Sequence, residues 1–326
     1  MSAMADPGVA AHYGAVSVIS TQNLTKRFPR VTALDQLSLA VGTGVVGLVG
    51  ANGAGKSTLI KILLGLLAPT SGRAEVLGLD VTTQGPELRQ RVGYMPEHDC
   101  LPPDVSATEF VVHMARISGL PPAAARERTA DTLRHVGLYE ERYRPIGGYS
   151  TGMQQRVKLA QSLVHDPRLI FLDEPTNGLD PVGRDDMLRL IRRIGTDFGI
   201  SVLVASHLLG ELERICDHVV IIDAGRLLRS SEIAAYTQAT EVLTIEVTDG
   251  PHDDGTEALG ARLAEAGVAV RRDGHLLEVQ LRDDTTYDQI RDLTAEIGVG
   301  LVRLQQGRHR IEEVFTDQQE PADVGA

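Results

Sequence analysis

Short apolar runs and longer amphipathic stretches alternate along this chain, and their spacing predicts its elements before any motif is considered. Val16, Val18 and Ile19 open a strand pattern, which Leu37, Leu39 and Val41 continue with period two. The run Val45-Val46-Gly47-Leu48-Val49 has no polar face, as expected of a strand covered on both sides. Over residues 56–67 the period changes. Leu59, Ile60, Leu63, Leu64 and Leu67 share one helical face, which Pro69 ends. Residues 86–165 read as mostly helical, broken at Pro102-Pro103 and Pro121-Pro122. Apolar strands are predicted at 169–172, 201–205 and 219–222, with a helix around 185–194. Strands alternating with helices imply a mainly parallel sheet covered on both faces.

The texture changes after about Ser230. Residues 241–247 and 275–281 alternate as strands, 256–266 and 285–297 read as helices, and a last strand falls near 300–305. The order resembles β-α-β-β-α-β, so residues 231–317 are expected to form a small ferredoxin-like domain. Gly250-Pro251 and Asp253-Asp254-Gly255 are turns within it. The ends, 1–15 and 318–326, are expected to be flexible.

Composition narrows the function classes. With 326 residues, 42% of them hydrophobic, the chain can bury two cores. A net charge of −12 with no basic stripe argues against duplex binding, and 4% aromatic content with no Trp argues against single-strand stacking. No nucleic-acid partner is expected. Cys100 and Cys216 lie far apart without metal-ligand spacing, which suits a reducing cytoplasm. No apolar run approaches the roughly 18 residues that span a bilayer, and residues 1–15 lack the basic start of a signal peptide. Any membrane role needs another polypeptide.

Three segments carry chemistry. Gly50-Ala51-Asn52-Gly53-Ala54-Gly55-Lys56-Ser57 follows an apolar strand and opens an amphipathic helix. Its glycines let backbone N–H groups wrap a triphosphate at the helix's positive end. There Lys56 would neutralise phosphate charge, and the Ser57 hydroxyl would ligate Mg²⁺. The context disfavours a merely flexible glycine loop. An apolar strand ending in Asp173 and Glu174 places two carboxylates where open α/β sheets bind ligands. Asp173 can reach the Mg²⁺ shell and Glu174 can polarise an attacking water. Tyr149-Ser150-Thr151-Gly152-Met153-Gln154-Gln155-Arg156 reads as a helix start capped by Ser150, a second anion-binding end; taken alone, it is an ordinary capped helix.

Over residues 16–230 the chain resembles an ABC transporter ATP-binding subunit. The loop at 50–57 is similar to Walker A, 169–174 to Walker B, and Ser150-Thr151-Gly152 to the signature sequence. Asn177-Gly178-Leu179-Asp180-Pro181 resembles the D-loop, His207 the switch histidine, and Phe28 the aromatic residue that stacks on adenine. The resemblance implies an α/β P-loop NTPase cassette with a parallel-sheet core, an antiparallel β lobe and a helical lobe about 86–165, followed by the small α+β domain. ATP would be held by Phe28, Gly50, Asn52, Gly53, Ala54, Gly55, Lys56, Ser57 and Thr58, and across a dimer interface by Ser150, Gly152 and Asp180. Glu174, His207 and Lys56 would be catalytic, and Ser57, Asp173 and Glu97 would surround Mg²⁺.

There are three departures. The first, third and fifth signature positions differ from the family consensus Leu-Ser-Gly-Gly-Gln. Glu97 stands at the Q-loop position where Gln is usual, and Phe28 where Tyr is usual. The segment Tyr149–Arg156, Pro96-Glu97 and the C-terminal Ile311-Glu312-Glu313-Val314-Phe315 resemble the branch that exports drugs, lipids or polysaccharides. The resemblance implies a homodimer and an integral membrane permease on the cytoplasmic face of the cell membrane. A rival reading is a soluble ABC ATPase acting on ribosomes or DNA, which would want two cassettes, zinc knuckles or a basic arm. A GTPase would want an Asn-Lys-x-Asp segment, absent here.

Overall fold

The computed structural model describes residues 17–98, 100–233, 239–249, 254–283 and 285–308. The two ends expected to be flexible, the turn at Gly250-Pro251 and the segment 311–315 lie outside the described residues. The chain divides between Ile233 and Ala234.

In the first unit the residues read as strands form an antiparallel hairpin, which the sequence reading did not specify, of β1 (Ile19–Phe28) and β2 (Val31–Val41). Fully apolar β3 (Val45–Val49) leaves it for a second sheet. The first sheet is antiparallel, completed by β4 (Ser71–Val76) and β5 (Leu79–Asp80) in the order β2-β1-β4-β5. In the second sheet β3 is central. β6 (Val92–Met95), β7 (Leu169–Asp173), β8 (Ser201–Ser206) and β9 (His218–Asp223) run parallel with it, and β10 (Arg226–Glu232) closes one edge antiparallel. The helix α1 (Lys56–Leu63) packs through Ile60 in the core shared by both sheets, with Leu24, Leu34, Leu48, Phe171 and Val220. Burial of such side chains, about 1.5–3 kcal/mol each, is what fixes α1 relative to β3 and β7.

Helices α2 (Gly85–Arg91), α3 (Ala107–Ile117), α4 (Pro122–His135) and α5 (Thr151–Leu163) occupy most of the stretch expected to be helical. The expectation needs one correction, because residues 92–95 are the edge strand β6. Gly93 explains its place: a Cβ there would run into the Ser162 carbonyl, so only glycine lets β6 lie against α5. Beyond β7, α6 (Pro181–Asp197) starts four residues earlier than the periodicity suggests, capped by Asp180. The short α7 (Leu209–Leu212) follows β8.

The second unit has the chain order β11 (Ala239–Val247), α8 (Gly255–Glu265), β12 (Val270–Asp273), β13 (Leu276–Gln280), α9 (Thr285–Ile297) and β14 (Leu301–Arg308). Its sheet is antiparallel, ordered β12-β13-β11-β14. Leu243, Ile245, Leu277 and Val279 of the strands pack with Leu259, Leu263 and Ile290 of the helices. Among the described residues no helix is long and apolar enough to cross a membrane.

Candidate functional site

The glycine-rich loop of residues 50–55 links the end of β3 to the first residue of α1. A Cβ on Gly50 would lie 2.5 Å from the Ile222 carbonyl, and one on Gly55 would lie 2.5 Å from the Ala33 carbonyl. Gly53 (φ 85°) and Gly55 (φ 106°) also hold left-handed backbone. Ala51, Asn52 and Gly53 are exposed, Ala54 and Gly55 are buried, and Ser57 and Thr58 are half-buried. The first-turn N–H groups of α1 have no carbonyl before them in the helix, so the loop presents them to whatever it encloses.

Lys56 is 6% exposed. Its ammonium donates to the Gly50 carbonyl at 2.7 Å and the Ala51 carbonyl at 3.4 Å, and stands 3.4 Å from Glu174 Oε1. Phosphate oxygens entering the loop would replace these carbonyls with stronger, charged acceptors. Glu174 in turn has φ 49°, a left-handed conformation that costs a non-glycine residue about 1–3 kcal/mol. Its N–H donates to the Ala205 carbonyl at 2.9 Å, which holds the turn. This turn sets the carboxylate between Lys56 and His207, whose Nδ1 is 3.0 Å from Glu174 Oε2.

Asp173, at the end of β7, is 3% exposed. Burial above all pushes its carboxyl above the ordinary range. The Ser57 hydroxyl bonded to it and Lys56 pull the other way, while Glu97 and Glu174 add to the rise. Its Oδ1 is buried without a hydrogen-bond partner. Such an oxygen is costly unless something cationic completes it, and that fits a divalent cation. Among the described residues no three His, Cys, Asp or Glu side chains converge as a ready cage. Mg²⁺ needs none, since it takes one or two carboxylates and fills the rest of its shell with phosphate oxygens and water. Glu97 is half-buried. Its carbonyl accepts from Lys158 Nζ at 2.8 Å, and its charge, with burial, Asp173 and Cys100, helps push the Tyr94 phenol up to about 12, burial being the largest cause.

The remaining predicted residues lie elsewhere. Ser150 caps α5 by accepting from the Met153 N–H at 3.4 Å, and Asp180 caps α6 by accepting from the Gly183 N–H at 3.0 Å. Ser150, Gly152 and Asp180 line a separate open pocket of about 480 Å³ with Thr151, Met153 and Gly178, and no phosphate-loop residue contributes to it. Phe28 is 41% exposed at the tip of the β1–β2 hairpin, with the Lys26 ammonium 5.3 Å from its ring centroid. The Ala33 carbonyl against Gly55 holds the same hairpin beside the loop.

Sequence reasoning passed over Gln155, whose buried amide donates to the Asn177 carbonyl at 3.2 Å, and over Thr176 and Glu211. Gln155 had a signal, its place in the capped segment. Glu211 had none, because its burial comes from tertiary packing.

A sequence model described as ABC transporter matches residues 34–177. The daunorubicin/doxorubicin resistance ATP-binding protein DrrA of Streptomyces peucetius is 35% identical over 305 residues, 91% of each chain. The chain belongs to the ABC transporter ATP-binding proteins. The bacitracin transport ATP-binding protein BcrA of Bacillus licheniformis is 39% identical over 213 residues, covering 65% of this chain and 69% of BcrA. Among solved structures, cbiO1 from Clostridium perfringens, part of the ABC transporter complex cbiONQ, matches with TM-score 0.61 at 27% identity, over 67% of this chain and 90% of that one. This ABC subunit therefore binds ATP and hydrolyses it to power a membrane transporter. ABC ATP-binding subunits work with membrane permease partners and dimerise.

Proposed function

We propose that this subunit drives export of drugs, lipids or polysaccharides, through ATP-dependent head-to-tail dimerisation with a second copy of itself. The observation that carries this reading is the separation of the two half-sites. The phosphate loop, Glu174 and His207 meet in one place, while Ser150, Gly152 and Asp180 line a pocket apart from them. A head-to-tail pair would bring one chain's capped helix ends onto the triphosphate held by the other, so ATP would act as the adhesive and hydrolysis would remove it.

In that assembly Phe28 would stack on adenine, and residues Gly50 to Thr58 would cradle the phosphates. Ser57 and Asp173, with Glu97 beside them, would hold Mg²⁺, which when bound neutralises phosphate charge. Glu174 would orient the attacking water, His207 would hold the γ-phosphate, and Asp180 would align the neighbouring site. Residues 16–230 would form the cassette, its lobe at about 86–165 receiving an integral membrane permease. Residues 231–317 would form a separate ferredoxin-like domain. The subunit would lie on the cytoplasmic face of the membrane, held by the permease. Export is supported by likeness to DrrA and BcrA and to a Nod factor export ATP-binding protein I of Ralstonia nicotianae, 32% identical over 281 residues.

The test is purification of a tagged Glu174→Gln variant from its native cell in mild detergent with MgATP. A polytopic membrane protein in stoichiometric amount is expected. Recovery only with ribosomal or other soluble partners contradicts the reading.

A further inference from the structure

Glu211 is a buried carboxylate that the chemistry above leaves unused. It is 8% exposed, four residues past His207 on the short helix α7. Its Oε2 accepts from the Thr176 hydroxyl at 2.7 Å, and its Oε1 stands 3.0 Å from Arg184 Nε. Thr176 is itself 4% exposed and lies between Glu174 and Asp180. Arg184 sits in the first turns of α6, its N–H donating to the Asp180 carbonyl at 2.9 Å. One carboxylate thus joins three pieces of chain: the segment from Glu174 to Asp180, the start of α6, and the helix that carries on from His207.

We infer that Glu211 is a positioning residue for hydrolysis, tying the Asp180 loop to the His207–Glu174 pair so that they move as one body. The inference rests on the proposed roles of Glu174, His207 and Asp180. A buried charge is expensive to strand, so its partners cannot drift away without a large penalty. The loop is also held from the other side, where Gln155 of α5 donates to the Asn177 carbonyl. Arg184 Nε and Glu211 Oε1 are close, yet neither atom has an aligned hydrogen bond. A force on the Asp180 loop from a neighbouring subunit is in this way transmitted to Glu174 and His207 through Arg184, Glu211 and Thr176.

The test compares Thr176→Val, Thr176→Ser, Glu211→Ala and the Thr176→Val/Glu211→Ala double variant of the purified full-length chain. ATP hydrolysis and equilibrium ATP binding are both measured. The expected result is a kcat lowered about tenfold in Thr176→Val and Glu211→Ala with KM within about twofold of the parent, and no further loss in the double variant. Thr176→Ser, which keeps the hydroxyl, recovers kcat to within about twofold. Should Glu211→Ala fail to fold, the Val and Ser pair at position 176 decides alone. Unchanged kcat in Thr176→Val, or a Ser variant no better than Val, overturns the inference. Glu174→Gln is assayed alongside: if it hydrolyses ATP at the parental rate, the underlying assignment falls instead.

Discussion

Asp173 and Glu174 are adjacent, yet their surroundings set them different problems. Asp173 is buried with an unpartnered oxygen beside Glu97 and Glu174, so its negative charge destabilises the nucleotide-free fold. Its carboxyl value is raised by folding, so this penalty applies above the ordinary carboxylate range and fades as pH falls through the raised value. Asp173→Asn removes the charge and keeps the shape. Without nucleotide its Tm is expected to rise by about 2–4 °C, while Mg²⁺-dependent hydrolysis falls at least about a hundredfold. A lowered Tm in differential scanning calorimetry contradicts this account. Glu174 is instead strained at its backbone and satisfied at its side chain, by Lys56 and His207. The glycine pattern and the paired acids at the end of an apolar run made these residues stand out in the sequence, and the fold brings them together. Glu211 and Thr176 were not legible, since a carboxylate on the four-residue α7 declares its burial only once α6 and the Thr176 segment pack against it.

At the scale of elements, what could be read was whatever the core covers on both faces. The strands β3, β7, β8 and β9 are continuous apolar runs, and their pattern survives in one dimension. The strand β6 was lost inside a helical stretch because it has four residues and depends on a glycine fitting under α5. Likewise β4 buries only Ala74 and Val76, and β12 has a single apolar residue. The contact of β6 with the end of α5 is reinforced by His165, whose Nε2 lies 2.9 Å from the Val92 carbonyl. Burial holds this imidazole below its ordinary value of 6.5, against an upward pull from the Val92 carbonyl. The unfolded chain therefore binds the proton more readily, and the neutral ring's contribution is lost as pH falls below about 6.5. Between pH 7.5 and 5.5 the parent Tm should fall more steeply than that of His165→Gln. Parallel slopes in thermal melts sink the idea.

At the scale of the whole molecule, no helix among the described residues is long and apolar enough to cross a membrane, and ABC ATP-binding subunits work with membrane permease partners. In the proposed dimer each chain holds two incomplete half-sites, which two chains complete through ATP. The most direct test of that dimer is the mass in solution of Glu174→Gln by light scattering, with and without saturating MgATP. A monomer is expected without nucleotide, and with MgATP a dimer that reverts when the nucleotide is removed. A variant that remains monomeric at saturating MgATP contradicts it.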